Sequence, residues 1–291
     1  MSVVVTGATG QFGRHVIESL LSRGLPADEI VAGGRNLAKL ADLAAAGVRV
    51  ALLDYDDADT LAAAMNGADK VLVVSGTDFG RRVEQHASAA RAAADAGARL
   101  VAYTSAPHAD STSLAMAAEH LATEQAIRAL GVPFVFLRNG WYFENYTAQI
   151  PTYLAQGAVL GAAADGPISG AARAEQAEAA AVVLLGEGHE GAVYELGGDT
   201  PFTLTELAAL VSAHSRQRIV YRDVSDAEFT AALQAAGLPA PVAHLYADTD
   251  RAIRAGELLI ETADLRRLIG RPTSTLADAV AAFFAATAVR A

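Results

Sequence analysis

Three glycines, Gly7, Gly10 and Gly13, stand at G-x-x-G-x-x-G spacing where the apolar run Val3-Val4-Val5 meets a segment of amphipathic pattern opening at Gln11. That spacing suits chemistry on phosphate. Gly7 permits a tight turn, Gly10 lets the main chain approach a pyrophosphate, and Gly13 brings a helix close to a sheet. A helix that begins there also presents amides without internal partners to an anion. The triplet carries weight because it follows a strand and opens a helix inside a βαβ pattern.

At about 20 residues beyond such a loop, a site for a plain ribose diol carries a carboxylate. This chain has Gly33-Gly34-Arg35 instead. A guanidinium forks onto a 2′-phosphate, which a carboxylate would repel. Lys39, one helical turn on, adds a second positive charge. The same Arg35 would also serve a solvated helix start. Asp54 closes the third apolar run, placed to accept from an adenine amino group or to make a turn. Ser75-Gly76 and Thr104-Ser105 follow the fourth and fifth runs, small residues suited to the close approach of a ribose and nicotinamide.

A tyrosine acid assisted by a lysine four residues later is absent. The chain has two lysines, Lys39 and Lys70, and the residues four before them are Arg35 and Asn66. In the corresponding helix Met116 and His120 stand at about that spacing. His120 is the candidate for a proton relay or a ribose contact, since imidazole changes charge near neutral pH; a hydrogen-bonded helix-face histidine is the alternative. His108, in the loop after the fifth run, is a second candidate near the crevice. No His, Asp and Glu cluster has metal-ligand spacing, so no metal is expected.

These residues must be positioned by an α/β fold. Short apolar runs at 3–6, 30–34, 48–53, 71–75, 100–104 and 133–137 alternate with helical patterns at 11–22, 36–46, 57–65, 83–96 and 115–130. Such alternation predicts a Rossmann-type doubly wound parallel sheet. Most of the helices end at a glycine: Gly24, Gly47, Gly67, Gly97 or Gly131. After Asn139 the alternation stops, giving a nucleotide-binding core at 1–140 and a smaller capping region at 141–291. A strand at 192–196 returns to the core, and Thr203 with Glu206 forms a capping-box pattern.

Composition narrows the partners. A hydrophobic share of 52% and a charged share of 19% exclude a disordered chain. The net charge of −11 disfavours nucleic acid. Without cysteine there is no thiolate nucleophile, disulfide or iron–sulfur ligand. No apolar run has the length of a membrane span and no secretory leader is visible, so a cytoplasmic location is expected. A homodimer is left open.

TGATGQFG at 6–13, Arg35-Asn36, Ala102-Tyr103-Thr104-Ser105, AEHLATE at 118–124 and LRNGWYFENY at 137–146 together resemble the type 2 NADPH:quinone oxidoreductases. These are NmrA-like, atypical short-chain dehydrogenases/reductases close to triphenylmethane reductase. GAVYEL at 191–196 and LIGRPT at 268–273 extend the likeness over essentially the whole chain. The resemblance implies a flavin-free reductase that takes hydride from NADP(H) to a quinone or dye. It also implies cofactor contacts at Gly7, Thr9, Gly10, Gln11, Phe12, Gly13, Arg35, Ser75, Gly76 and Asn139. Gly33-Gly34 and Gly76-Thr77 depart from the pattern. Quinone reduction fits the missing tyrosine, because the product ring becomes aromatic and protonation can follow from water. Positioning is then the main task. Trp141, Tyr142, Phe143 and Tyr146 are candidate stacking faces for a planar acceptor, as is Phe79. The competing reading is an NADP(H)-sensing regulator without turnover. A nucleotide-sugar epimerase or dehydratase fits less well, since those enzymes keep the tyrosine and lysine.

Overall fold

The computed structural model describes residues 1–288. The chain divides into two compact units. The first comprises 1–109, 118–139 and 173–195; the second comprises 110–117, 140–172 and 196–291.

The first unit is built on a seven-stranded sheet whose order is β3-β2-β1-β4-β5-β6-β8. Its strands are β1 (Val3–Val5), β2 (Ile30–Gly34), β3 (Arg49–Leu52), β4 (Lys70–Val73), β5 (Leu100–Ser105), β6 (Phe134–Asn139) and β8 (Val193–Leu196). From β3 through β6 every pairing is parallel. This doubly wound arrangement puts the strand order reversal between β1 and β4, where such sheets open a crevice. The inner strands β1, β2, β4 and β5 are buried along their whole length, as strands covered on both faces are, whereas the edge strand β3 is not. On one face Val4, Val31, Val71, Val101 and Phe136 pack with Leu61 and Met65 of α3 (Ala58–Met65) and Ala89 and Ala93 of α4 (Arg82–Asp95). On α1 (Gln11–Ser22), Val16, Ile17 and Leu20 are fully buried. Arg23 just beyond α1 pairs with Glu178 of α8 (Arg173–Leu185).

The pattern-based element limits agree with these to within two or three residues, and α1 and β2 coincide. The expected helix at 36–46 differs. It is a 3-10 turn at Leu37–Leu40 followed by the short α2 (Ala41–Ala45). Asn36 makes no side-chain cap there, so the turn lacks the hydrogen bond that would favour a regular helical start. The last helix of this set, α5 (Ala115–Ala129), leads into β6.

The second unit holds a two-stranded parallel ribbon of β7 (Ala158–Gly161) and β9 (Val220–Asp223). Around it are α6 (Glu144–Thr147), α7 (Ile150–Gln156), α9 (Leu204–Ser215), α10 (Asp226–Ala235), α11 (Ala240–Arg254), α12 (Asp264–Ile269) and α13 (Leu276–Ala288). Thr203 and Glu206 form the expected capping box on α9, and Ser225 and Glu228 repeat it on α10. Phe229, Ala162 and Ala247 make a small core with Leu160 and Leu233. Among the described residues no helix is long and apolar enough to cross a membrane.

Candidate functional site

The turn from β1 into α1 takes the form its glycines allow. Gly7 has φ +61°, a left-handed conformation that a side chain disfavours. A Cβ on Gly13 would lie 2.6 Å from the Gly7 carbonyl oxygen, so α1 rests directly on the turn. Gly10 is different: a Cβ there would meet only the Gly7 oxygen, at 3.3 Å. The fold's own demand for glycine is thus weaker here than at Gly13, although a Cβ would still press on the Gly7 carbonyl. The space beside it belongs to a crevice of about 680 Å³, lined by Gly7, Thr9, Gly10, Gln11, Phe12 and Gly13 together with Arg35, Asp54, Ser75 and Gly76.

Arg35 follows β2 and is exposed; among the described residues its guanidinium makes no hydrogen bond or ion pair. Gly34 lets Thr9 lie close, since a Cβ there would sit 2.6 Å from Thr9 Cγ2, and Gly33 does the same for Leu53. The departure from the family pattern at these two positions is thus a packing solution. Asp54 lines the crevice while also serving its turn, with Oδ1 accepting from the Asp56 N–H at 3.2 Å. Lys39 is corrected. It lies in the 3-10 turn, outside the crevice wall, where its carbonyl accepts from Arg14 Nη2 at 2.7 Å.

A second guanidinium on the wall, Arg173, escaped the sequence reading. It opens α8 and donates to Gln11 Oε1. The available signal was its place at a helix N-terminus, where the helix dipole disfavours a cation unless an anion is nearby. Tyr55, Thr77, Asp78 and Gln85 also line the crevice. Tyr55 donates to the Val74 carbonyl at 2.7 Å and shares a short hydrogen bond with Thr6, whose Oγ1 accepts the Val74 N–H at 2.8 Å. This loop of bonds ties the ends of β1 and β4 together.

Thr104 and Ser105 are not on the crevice wall. Thr104 is 3% exposed and acts beneath it, its Oγ1 accepting the Ser75 N–H at 2.8 Å. Ser105 donates to Glu124 at 2.7 Å. That carboxylate receives Arg138 through two bonds of 2.9 Å, and Arg138 also reaches Glu195 at 3.0 Å. Asn139 ends β6 and is buried, likewise off the wall. His108 is held by its N–H on Glu195 at 3.1 Å.

Behind Ser75 and Gly76 runs a linked set of buried polar groups, in which the Arg82 Nε alone has no hydrogen bond among the described residues. The Gly76 N–H donates to His86 Nε2 at 2.9 Å. A neutral His86 thus carries its proton on Nδ1, which faces Tyr103 Oη at 3.3 Å and Thr123 Oγ1 at 3.4 Å. Arg82 Nη2 donates to His120 Nε2, leaving the His120 proton on Nδ1, 2.8 Å from Tyr103 Oη. Tyr103 also bonds Thr123, whose hydroxyl donates to the Glu119 carbonyl at 2.8 Å. Burial first, and the Arg82 charge second, push His86 down to about 3 and hold His120 well below the usual imidazole range. Glu119 lies 3.4 Å from Arg82 and accepts the Gly80 N–H at 2.7 Å. The network therefore fixes both Gly76 and Gly80, in the loop that follows β4. Both ring nitrogens of His120, the candidate for a proton relay or a ribose contact, are engaged inside the unit, on Arg82 and Tyr103.

Among the expected stacking residues, Phe79 is 49% exposed, with the Arg82 guanidinium 5.1 Å from its ring centre. Trp141 and Tyr142 are partly exposed, and the Trp141 indole donates to the Tyr146 hydroxyl. Phe143 is corrected. It is 1% exposed, packed on Phe202 and against Gly170, so it offers no open face. Among the described residues no group of three or more His, Asp or Glu side chains is arranged to hold a metal.

Comparison with known proteins gives the same picture. A family model described as NAD(P)H-binding matches residues 7–185. Quinone oxidoreductase 2 of Escherichia coli is 45% identical over 282 residues, covering 97% of this chain and 98% of that protein. The crystal structure of the E. coli NADPH-dependent quinone oxidoreductase QOR2 in complex with NADPH superposes with a TM-score of 0.94, covering 97% of this chain and 99% of that one. Citrobacter sp. triphenylmethane reductase complexed with NADP(H) follows at 0.92, with 38% identity and coverage of 97% and 100%. With the glycine loop, the switch-point crevice and the Arg35 wall in place, the chain belongs to the NAD(P)H-binding family, in its NmrA-like branch of quinone oxidoreductase 2 and triphenylmethane reductase relatives.

Proposed function

We propose that the chain is an NADPH-dependent, flavin-free reductase of quinones and similar planar acceptors. The observation that carries the cofactor half of this reading is Arg35, a guanidinium on the wall of the crevice beside Gly10 that makes no hydrogen bond or ion pair among the described residues. The residues fit the group. Gly7, Thr9, Gly10, Gln11, Phe12 and Gly13 hold the pyrophosphate against the first turn of α1. Arg35 takes the 2′-phosphate by charge-assisted bonds, and Arg173 adds positive charge to the same wall. Asp54 accepts from the adenine amino group, while Ser75 and Gly76, fixed from behind by Thr104 and His86, flank the ribose and nicotinamide. When bound, the nicotinamide supplies a hydride.

The acceptor half rests on what the residues withhold. His86, Tyr103 and His120 form a neutral, internally satisfied set that delivers no proton to a substrate. An acceptor that needs general acid help would then lose roughly 10²–10⁴-fold in rate. A quinone needs little such help, because the negative charge is delocalised over a phenolate and protonation follows from water. The E. coli quinone oxidoreductase 2 and the Citrobacter triphenylmethane reductase, similar to this chain, support this reading of the acceptor. Tyr142, partly exposed, is the flat face that orients the acceptor.

Purified protein mixed with NADPH and a naphthoquinone tests this reading. Steady NADPH oxidation is expected from protein without flavin absorbance. Tight NADPH binding with no turnover of quinones or dyes would reject the reductase and leave an NADP(H)-sensing protein.

A further inference from the structure

Within the second unit lies a cavity of about 350 Å³, lined by that unit alone. Trp141, Tyr146, Tyr153, Phe229 and Tyr246 contribute aromatic surface, and Asp250 of α11 is the one lining side chain with a formal charge. Asp250 is 7% exposed. Among the described residues its carboxylate receives a single hydrogen bond, from the Ala162 N–H to Oδ2 at 2.7 Å, which leaves Oδ1 without one. A carboxylate taken out of water ordinarily has several donors or a paired cation. Tyr153, 9% exposed, adds a hydroxyl that makes no hydrogen bond among the described residues.

The local field chooses the sign of an occupant. Asp223 and Asp226 act on Asp250 with like charge, and the opposing cation is Arg254. Arg254 is already engaged, 3.2 Å from Asp226 and donating to the Ala162 carbonyl. An anion would be repelled. A quinone brings only acceptor oxygens and would meet a carboxylate. An ammonium group brings donors for Oδ1 and a positive charge for the aromatic faces.

We propose that this cavity binds an arylalkylammonium ligand, with the Asp250 carboxylate as counter-ion and the surrounding tyrosine and tryptophan faces enclosing the ring. The site is independent of hydride transfer and stands or falls separately from the reductase reading. Binding is pH-dependent in a defined sense. Burial chiefly pushes the Asp250 carboxyl up to about 6. The groups facing it are the hydroxyls of Tyr146, Tyr153 and Tyr221, the carboxylates of Asp223 and Asp226, and the Arg254 guanidinium. A cation needs the ionised form, so affinity rises with pH through that range.

Calorimetric titration of the full chain with 3-phenylpropylammonium and with the neutral, near-isosteric 3-phenylpropanol tests the proposal. The ammonium is expected to bind at least about tenfold more tightly than the alcohol near pH 7.5, since only it gains the carboxylate. It should weaken by about tenfold near pH 5, as protonation removes most of the counter-ion. Asp250→Asn, with its fold checked by a melting curve, should abolish both the preference and the pH dependence. Equal affinity for the two compounds in the unaltered protein, a flat pH profile or no binding of either overturns the proposal without reference to any variant.

Discussion

Two buried polar sets, one from each unit, are finished differently. In the first unit, the side chains of His86, Tyr103, His120 and Thr123 are all engaged and the set ends on the main chain at Gly76 and Glu119; Arg82 joins it through Nη2, while its buried Nε has no hydrogen bond among the described residues. In the second, Asp250 holds one main-chain amide and otherwise faces open space, with Tyr153 beside the same cavity. A closed network spends its hydrogen-bonding capacity on shape, here the shape of the loop after β4. An open one keeps capacity for a ligand. The contrast sets two histidine rings whose nitrogens are engaged within the unit against a carboxylate that the sequence did not single out and that holds one hydrogen bond.

The largest effect falls on the crevice that the closed network supports. Gly10→Val should abolish NADPH binding at a small cost to the fold, because a Cβ there presses only on the Gly7 oxygen, at 3.3 Å, whereas it would occupy the space of a bound pyrophosphate. Normal affinity by calorimetry would show that the loop is not the phosphate site.

Acid should separate the two sets next. His86 is held at about 3 in the fold, against 6.5 when exposed. The unfolded chain therefore binds more protons between these values, and the contribution is present above 6.5 and lost as pH falls toward 3. Asp250 works in the opposite sense. Its carboxyl is raised from 3.8 to about 6, so the native state binds more protons in that interval and gains stability as pH falls through it. Melting temperature should drop on acidification, and Asp250→Asn should make the drop steeper between about pH 6 and 4. An identical slope in the variant would remove the contrast between the sets.

Opening the closed network should cost less. Tyr103→Phe deletes the acceptor of the His120 Nδ1–H at 2.8 Å, leaving a buried donor unpaired, with an expected loss of about 1–3 kcal/mol in denaturant unfolding. A neutral outcome would mean that the network is not closed through that hydroxyl. Smallest is Tyr142→Ala. Loss of one stacking face should lower kcat/KM for a quinone by about fivefold, or ~1 kcal/mol. An unchanged value in steady-state assays would remove Tyr142 from the acceptor surface.

Much of this was legible along the chain. The limits of α1 and β2 follow from a periodic pattern with strong stop signals, and the glycine loop is a local motif whose geometry follows from its spacing. Arg35 was legible because its place after β2 is set by sequence distance from the loop. What could not be read depends on partners far away in sequence. His120 meets Arg82, 38 residues earlier. Phe143 is covered by Phe202, and Arg173 reaches Gln11 across 162 residues. Composition and spacing identified His120, Phe143 and Gln11 as capable of chemistry or contact but not Arg82, Phe202 or Arg173, and packing decided which of them meet. Lys39 shows the same limit at short range: the expected helix became a 3-10 turn, and the side chain lies off the crevice wall.

The central claim is that the crevice selects the phosphorylated cofactor through Arg35, and the most direct test is to measure dissociation constants for NADPH and NADH in the unaltered protein and in Arg35→Ala. The account predicts that the variant loses roughly 1.5–3 kcal/mol of NADPH affinity, about ten- to hundredfold, with NADH nearly unchanged, because only NADPH carries the phosphate that the guanidinium meets. Equal losses for both cofactors would contradict it, showing that Arg35 supports the wall without reading the ligand.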